Sequence, residues 1–597
     1  MFLRANRRFK DGKEHRYWSV EESRRLPSGR VAQRRVLYLG EINDSQEAAW
    51  RKTLEVFDEA EKRARTLSLF PEDRAIPADA LDGVRVKLKE MELRRARAFG
   101  NYWLGCVLWE RLGLGEFWEA RLGRGREEVP WSKVLELLVV SRLVAPGSEF
   151  RLHRQGFDQS AMGDLLGTGF AVAEKDRLYR CLDRILEHKA ALFEHLRQRW
   201  QELFQARFDV LLYDLTSTYV EGEGEEFPKA KYGYSRDQRF DCRQVVIALV
   251  ITPEGFPLAY EVMEGNTSDR TTLRGFLAKI EAQYGRARRV WVMDRGIPTE
   301  EVLEEMRAPE RRIFYLVGTP RGKIQQYEKK WLALPWRKVR ESVEVKLFAE
   351  EGELYVLARS EGRRAKERAI RRRKLARLLW KLRALGRKPP ARDQLLLRIG
   401  AAKKEVGRAF GFVRIHLPGE GEQVNRQTFT FRLDKEKLQK AELRDGHYLL
   451  RSNLVGEDPA VLWERYIQLT QIEAAFKTLK SELGLRPIYH QVEKRVEAHI
   501  FVAFLAYALS VTLRQRLQPL APGLTPRAVL EKLSTIQMLD VCLPTTDGRW
   551  LMMPRYTQPE PDQMLLLHRL RLSLPPQPPP RIKSADQAAA AMVRLKM

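Results

Sequence analysis

The chain has 597 residues, more than a single hydrophobic core supports, so several domains are expected. Hydrophobic residues make up 44% and charged residues 31%, which excludes a disordered chain and fits a globular one. Lys and Arg number 107 against 80 Asp and Glu, and the net charge of +27 favours a polyanionic partner, nucleic acid ahead of a membrane surface. No uninterrupted apolar stretch reads as long enough to span a bilayer, so no membrane partner is expected. The opening residues MFLRANRRFK lack the apolar segment and cleavage site of a secretory signal. Cys106, Cys181, Cys242 and Cys542 are scattered without a C-x-x-C pair, which argues against structural zinc and for a reducing cytoplasm.

Residues 1–70 are expected to hold a β-hairpin and a helix. His15 to Glu21, a turn at Pro27-Ser-Gly29 and Arg35 to Leu39 alternate as a hairpin with a longer loop, and a charge-rich helical stretch follows to about residue 68. Residues 71–205 read as a helical N-terminal region that can bind DNA. Within it, Trp131–Val144 carries a helical apolar stripe stopped by Pro146-Gly147, and Asp176–Trp200 is a second long helix.

The pattern changes over residues 206–318. Phe208–Thr216 is a strand, and Gln244–Thr252, the turn Pro253-Glu-Gly255 and Phe256–Val262 form a hairpin. Thr267, Ser268 and Asp269 can cap a helix running to about Tyr284. Arg289–Met293 is a strand, Pro298–Met306 a helix with acidic residues in its first turn, and Ile313–Val317 a further strand. Three strands, helix, strand, helix, strand make a mixed sheet flanked by helices.

Residues 319–446 interrupt that unit as a β-rich insertion. It holds the strands Ser342–Phe348, Glu353–Ala358 and Thr428–Leu433 and a very basic helix, Arg363–Lys388, suited to tracking phosphates without regard to sequence. The sheet domain resumes over 447–520. Residues 521–597 form a C-terminal helical region and a Pro-rich tail, in which Pro575–Pro580 is stiff and the stretch to Ala591 has little to build a core from.

Three acidic residues stand out against this background. Asp214 ends the apolar run Val210-Leu-Leu-Tyr213, Asp294 ends Val290-Trp-Val-Met293, and Glu473 lies in a helical stretch from Tyr466 to Lys480. Two strand-end aspartates and a helical glutamate offer hard oxygen ligands for a pair of Mg²⁺ ions. Two such ions about 3.5–4 Å apart can drive in-line attack on a phosphodiester. At roughly 100° per residue, one continuous helix places Tyr466, Leu469, Glu473 and Lys480 within a sector of about 60°. Ile472, Phe476 and Leu479 form the adjoining apolar stripe that seats the helix. Glutamate, lysine and an aromatic on one face suit metal binding beside a phosphate clamp and a base-stacking surface.

The sequence resembles the DDE transposases of bacterial insertion sequences, in the RNase H-like group marked by a Tyr-x2-Arg-x3-Glu-x6-Lys signature. Tyr466, Leu469, Glu473 and Lys480 keep every spacing of that signature. Tyr213-Asp-Leu-Thr-Ser-Thr218, Lys231-Tyr-Gly-Tyr-Ser-Arg-Asp237, Gly265-Asn-Thr-Ser-Asp269, Val292-Met-Asp-Arg-Gly296, Leu485–His490 and Glu497–Ile500 also resemble the group, and the likeness extends over most of residues 10–576. The resemblance implies an α/β multidomain fold with an RNase H-like sheet. It implies Asp214, Asp294 and Glu473 as the catalytic metal ligands, with two Mg²⁺ or Mn²⁺ ions.

The implied function is binding of the element's terminal inverted repeats, endonucleolytic cleavage of its ends and transfer of the 3′-OH to target DNA. The implied partners are double-stranded DNA and a second copy of the chain in a paired-end complex; the implied setting is the bacterial cytoplasm, at the nucleoid. The signature arginine, tied in the family to handling of the DNA end, is Leu469 here, and Arg486 and Arg495 are candidates to replace it. Tyr466, Lys480 and His490 complete the expected DNA-contacting set. Two rival functions share these features: a catalytically decayed protein that holds DNA ends, and a metal-dependent nuclease without strand transfer.

Overall fold

The computed structural model describes residues 2–10, 13–25, 31–41, 54–56, 84–123, 129–311, 313–319, 334–340, 343–350 and 352–584. They divide into two units, Leu182–Val511 and the combination of Met1–Cys181 with Thr512–Met597.

Nine strands of the Leu182–Val511 unit form one sheet. In chain order these are β1 (Val210–Tyr219), β2 (Gln244–Ile251), β3 (Pro257–Glu264), β4 (Val290–Met293), β5 (Phe314–Thr319), β6 (Arg337–Arg340), β7 (Val343–Glu350), β8 (Glu353–Ser360) and β9 (His447–Ser452). Their order across the sheet is β6-β7-β8-β9-β5-β4-β1-β2-β3. β1, β2 and β3 form an antiparallel meander, β4 and β5 run parallel to β1, and β9 returns antiparallel to β5. The β3-β2-β1-β4-β5 core is the mixed sheet that the sequence pattern predicts and that the resemblance implies as RNase H-like.

The sequence explains the layering. All eight residues of β2, Gln-Val-Val-Ile-Ala-Leu-Val-Ile, are buried, as in a strand covered on both faces. Helices α1 (Leu273–Tyr284) and α2 (Glu300–Arg307) cover one face. Their Leu273, Phe276, Ile280, Val302, Leu303 and Met306 pack with Leu211, Tyr213 and Leu215 of β1 and Trp291 and Met293 of β4. Thr299 caps α2 by accepting from the Val302 N–H at 3.3 Å, ahead of Glu300 and Glu301.

The interrupting segment differs from expectation. Its strands β6, β7 and β8 form no separate β-rich module but extend the central sheet, with β8 pairing β9 from Leu354↔Ser452 to Arg359↔His447. Among the described residues the rest is largely helix: α3 (Glu361–Arg387) and α4 (Arg392–Val406), with a small ribbon of Val413–His416 and Thr430–Leu433. Leu375, Leu378, Leu382 and Leu385 of α3 are buried at alternating three- and four-residue spacing. One apolar seam therefore runs through the Arg-rich stretch and packs on Leu395, Ile399 and Ala402 of α4.

After β9 come α5 (Pro459–Ile467), α6 (Leu469–Lys477) and α7 (Glu493–Leu520). α5 starts where Asp458 accepts from the Ala460 N–H at 2.7 Å and Pro459 occupies the first turn. α7 contains a window long and apolar enough to cross a membrane, contrary to the sequence reading, and 94% of that window is buried inside the protein. It has the burial of a core helix. Asp176–Trp200 is two helices, Lys175–Ile185 and Lys189–Phe204, separated by a tight turn at Leu186–His188.

In the other unit, Phe2–Lys10, Lys13–Arg25 and Val31–Glu41 form a three-stranded antiparallel sheet, one strand more than the expected hairpin. The expected helix to residue 68 lies mostly outside the described residues; Leu54–Val56, within it, is a strand paired with Val84–Val86. Helices Gly100–Arg111, Leu114–Leu122 and Trp131–Val144 bury Trp109, Trp118, Val134 and Val139. Glu92–Ala98 pairs with Gln537–Pro544, where the buried Arg97 meets Asp540 at 2.8 Å and Asp164 at 2.9 Å. Arg581–Lys583, just past the proline run, adds an edge strand against Trp550–Met552.

Candidate active site

β1 and β4 pair in parallel from Val210↔Val290 to Tyr213↔Met293. Asp214 and Asp294 are the residues that follow that last pair, Asp294 just past the end of β4, where the two strands lie roughly 4.8 Å apart. Tyr213 and Met293 point into the α1/α2 core. Side chains alternate along a strand, so both aspartates face the opposite side. There α6 packs on β1, seated by the buried Ile472, Ala475 and Phe476, while Glu473 stays exposed.

Asp214, Asp294 and Glu473 line one open cleft of about 490 Å³, together with Tyr466, Leu469, Arg295, Gly318, Arg363 and Lys366. Asp214 does not end its strand: β1 continues to Tyr219 on its antiparallel pairing with β2, and what ends at Asp214 is the pairing with β4.

None of the three carboxylates is in an ion pair among the described residues, in a chain of net charge +27. Asp214 is half-buried, and burial pushes its carboxyl up to about 7. The Leu215 N–H, donating to Asp214 Oδ1 at 2.8 Å, and the Arg236 charge work against the rise, while the charges of Asp294 and Asp269 add to it. Three oxygen-donor groups with no ion-pair partner among the described residues suit a hard divalent ion such as Mg²⁺ or Mn²⁺. In donor chemistry and in openness, the residues present fit that group.

Cations rim the same cleft. Arg295 follows Asp294, and Lys366 stands in the first two turns of α3; both are exposed and neither is ion-paired among the described residues. Arg363 is fixed: its Nε donates to Glu367 at 2.8 Å and its guanidinium lies 3.8 Å from the centre of the Tyr448 ring. Tyr466 packs 6.2 Å from Tyr448, ring centre to ring centre, and burial and the Asp294 charge raise its phenol above the ordinary value. Its hydroxyl comes so close to β5 that a Cβ on Gly318 would meet it at 2.7 Å. Sequence reasoning singled out neither Arg295 nor Lys366, although both stand inside stretches it marked.

The helix carrying Glu473 is not continuous. α5 ends at Ile467, α6 begins at Leu469, and the last turn, Thr478–Glu482, is a π-turn. Lys480 therefore does not line the cleft that holds Tyr466, Leu469 and Glu473. Its Nζ donates to Asp237 Oδ1 at 3.0 Å, and Arg486 pairs with the same oxygen. Arg495 grips Asp183 with two bonds of 2.9 Å. The His490 ring meets that of His499 edge-on at 5.5 Å. Of the residues expected at the site, the structure thus brings Asp214, Asp294, Glu473 and Tyr466 together and holds Lys480, Arg486 and Arg495 in ion pairs.

The transposase DDE domain family matches residues 206–509, just over half of the chain, all within the unit that carries the cleft. The chain belongs to that family. It is by family a DNA transposase, an enzyme of DNA recombination. Among solved structures, the cryo-EM structure of a piggyBac transposase synaptic complex with hairpin DNA is similar at 8% identity and a TM-score of 0.34, covering 74% of this chain and 82% of that one. No curated protein matches the transposase sequence.

Proposed function

We infer that this transposase cleaves the ends of its own insertion sequence and joins the freed 3′-OH ends to target DNA, using divalent cations held by Asp214, Asp294 and Glu473. The observation that carries the reading is the convergence of three carboxylates, without ion pairs among the described residues, on one cleft of a strongly basic chain. Bound cations would supply activation of the attacking oxygen and charge stabilisation of the departing one. Asp214 and Asp294, fixed by adjacent strands, would orient them, and Glu473 would close the set from α6. The raised Asp214 carboxyl would release its proton as the site fills.

Arg295 and Lys366 would neutralise and position the scissile strand's phosphates, because both line the cleft and neither is ion-paired among the described residues. Leu469 also lines the cleft and can make no such contact. Function as a homodimer on paired ends belongs to the same reading, since joining two ends to one target needs two sites.

The test is incubation of the purified chain with Mg²⁺ and a DNA fragment carrying the element's flanking ends plus a target plasmid. Nicked ends and joined products together support the reading, and nicks alone select a nuclease without strand transfer. Full activity in an Asp294→Ala variant refutes the assignment.

A further inference from the structure

The loop between β1 and β2 plays no part in the chemistry above, yet it is tightly built. Lys231 and Gln244 exchange both backbone hydrogen bonds, at 3.1 and 2.9 Å, and the Gly265 N–H donates to the Lys229 carbonyl at 2.9 Å. The strands cross so closely that a Cβ on Gly233 would meet the Gly265 carbonyl oxygen at 2.0 Å. A Cβ on Gly265 would meet the Gln244 carbonyl oxygen, also at 2.0 Å. Lys480 and Arg486 clamp Asp237, and the Arg236 N–H donates to Ser217 Oγ at 3.1 Å, on the strand that carries Asp214.

On this fixed scaffold Tyr232 and Tyr234 are 64% and 79% exposed. Arg243 stands 6.0 Å from the Tyr232 ring centre, and Tyr234 borders a cavity of about 350 Å³ lined also by Thr216, Ser217 and Arg236, which pairs at 2.8 Å with Asp269 in the same lining. Ser235 between Tyr234 and Arg236 is buried, so exposure alternates with period two, as along an extended chain. In such a chain alternate residues stand roughly 6.6 Å apart, about twice the ~3.4 Å step of stacked bases, which leaves room for one base between neighbouring rings. A rigid loop that holds two aromatic rings in water, with Arg243 beside the first, matches the way single strands are bound, by stacking on aromatics next to a cation.

We propose that Tyr232 and Tyr234 are a stacking platform for unpaired bases of the DNA strand handled in the adjoining cleft. The proposal rests on the strand-transfer reading for its DNA and adds to it the state of the bases. A protein partner would not need Arg243 beside the rings of a chain of net charge +27, whereas unpaired bases present both π-faces and phosphates.

The experiment is fluorescence anisotropy of the full chain, at fixed salt, on two labelled DNAs: a fully paired duplex and the same duplex with an internal run of mismatches. Tyr232→Ala/Tyr234→Ala is expected to weaken binding of the mismatched DNA by on the order of tenfold or more and to leave the paired duplex within about twofold. Tyr232→Phe/Tyr234→Phe, which keeps the rings, is expected to match the wild type on both. Unchanged affinity of the alanine variant for mismatched DNA, or equal losses on the two DNAs, overturns the platform. So does a variant with intact DNA binding but altered self-association in sedimentation, which would assign the rings to a protein interface. A wild-type chain that binds neither DNA strikes at the strand-transfer reading itself.

Discussion

Asp214, inside β1, and Asp294, the first residue past β4, both follow directly on the parallel pair Tyr213↔Met293. Their proximity follows from that last pairing of the two strands. Two carboxylates held this close on one face, with no ion-pair partner among the described residues, repel each other until a cation or a proton intervenes.

The burial of Asp214, with this repulsion adding to it, has a pH signature. Because the Asp214 carboxyl is pushed up to about 7, the folded protein holds this proton more tightly than the unfolded chain does. Ionising it therefore costs stability, beginning above the ordinary carboxylate value near 4 and levelling off above about pH 7. In metal-free buffer the melting temperature of Asp214→Asn is expected to match the wild type near pH 4 and to exceed it increasingly toward pH 7. Melting curves that stay parallel across this range contradict the assignment.

The contact between Gly318 and Tyr466 gives a second prediction. A methyl group at 318 displaces the Tyr466 hydroxyl, 2.7 Å away, and presses on the Arg295 backbone nitrogen at 3.3 Å. Gly318→Ala is expected to slow DNA cleavage by about ten- to a hundredfold through misplacement of the cleft wall. Adding Tyr466→Phe removes the clashing oxygen and should recover most of the loss. A double variant no better than Gly318→Ala in single-turnover rate would show that the hydroxyl is not the obstacle.

Some of this was legible in the sequence and some was not, for identifiable reasons. Val210–Tyr213 and Val290–Met293 are apolar runs of equal length, each followed by an aspartate, so the two strands and the acidic pair could be read directly. The continuation of β1 past Asp214 depends on β2, a partner some 30 residues away, and a strand read in isolation does not contain it. The break at Gln468 and the π-turn at Thr478–Glu482 contain no Gly or Pro to announce them, so a uniform helix placed Lys480 on the wrong face. Its partner Asp237 is 243 positions distant. The apolar seam of α3 was hidden because only its four buried leucines, among many arginines, reveal it.

Arg295 and Lys366 supply a third prediction. Replacing either with alanine should weaken DNA binding by a similar factor on every sequence tried, and should lower the magnitude of the log-affinity against log-salt slope by about 1. Anisotropy titrations over a salt series measure this. A slope identical to wild type would place that side chain away from phosphate.

The sheet has its own point of vulnerability. Glu353 on β8 is nearly inaccessible and receives Arg451 of β9 at 2.5 Å, Arg307 of α2 at 2.6 Å and the Tyr315 hydroxyl of β5. Removing the carboxylate takes from the buried Arg451 one of its two counter-charges, the buried one, and leaves it Glu300 at 2.5 Å. Glu353→Ala is expected to cost about 3–5 kcal/mol in urea unfolding, far more than alanine at the exposed Glu361. A shift of the midpoint no larger than that of the surface control would mean the network contributes little.

If Asp214, Asp294 and Glu473 act as one cation site, calorimetric titration of Mn²⁺ into the full chain will show saturable binding by the wild type. Affinity is expected to fall by about tenfold or more in both Asp294→Asn and Glu473→Gln. Equal Mn²⁺ affinity in the wild type and both variants would contradict it.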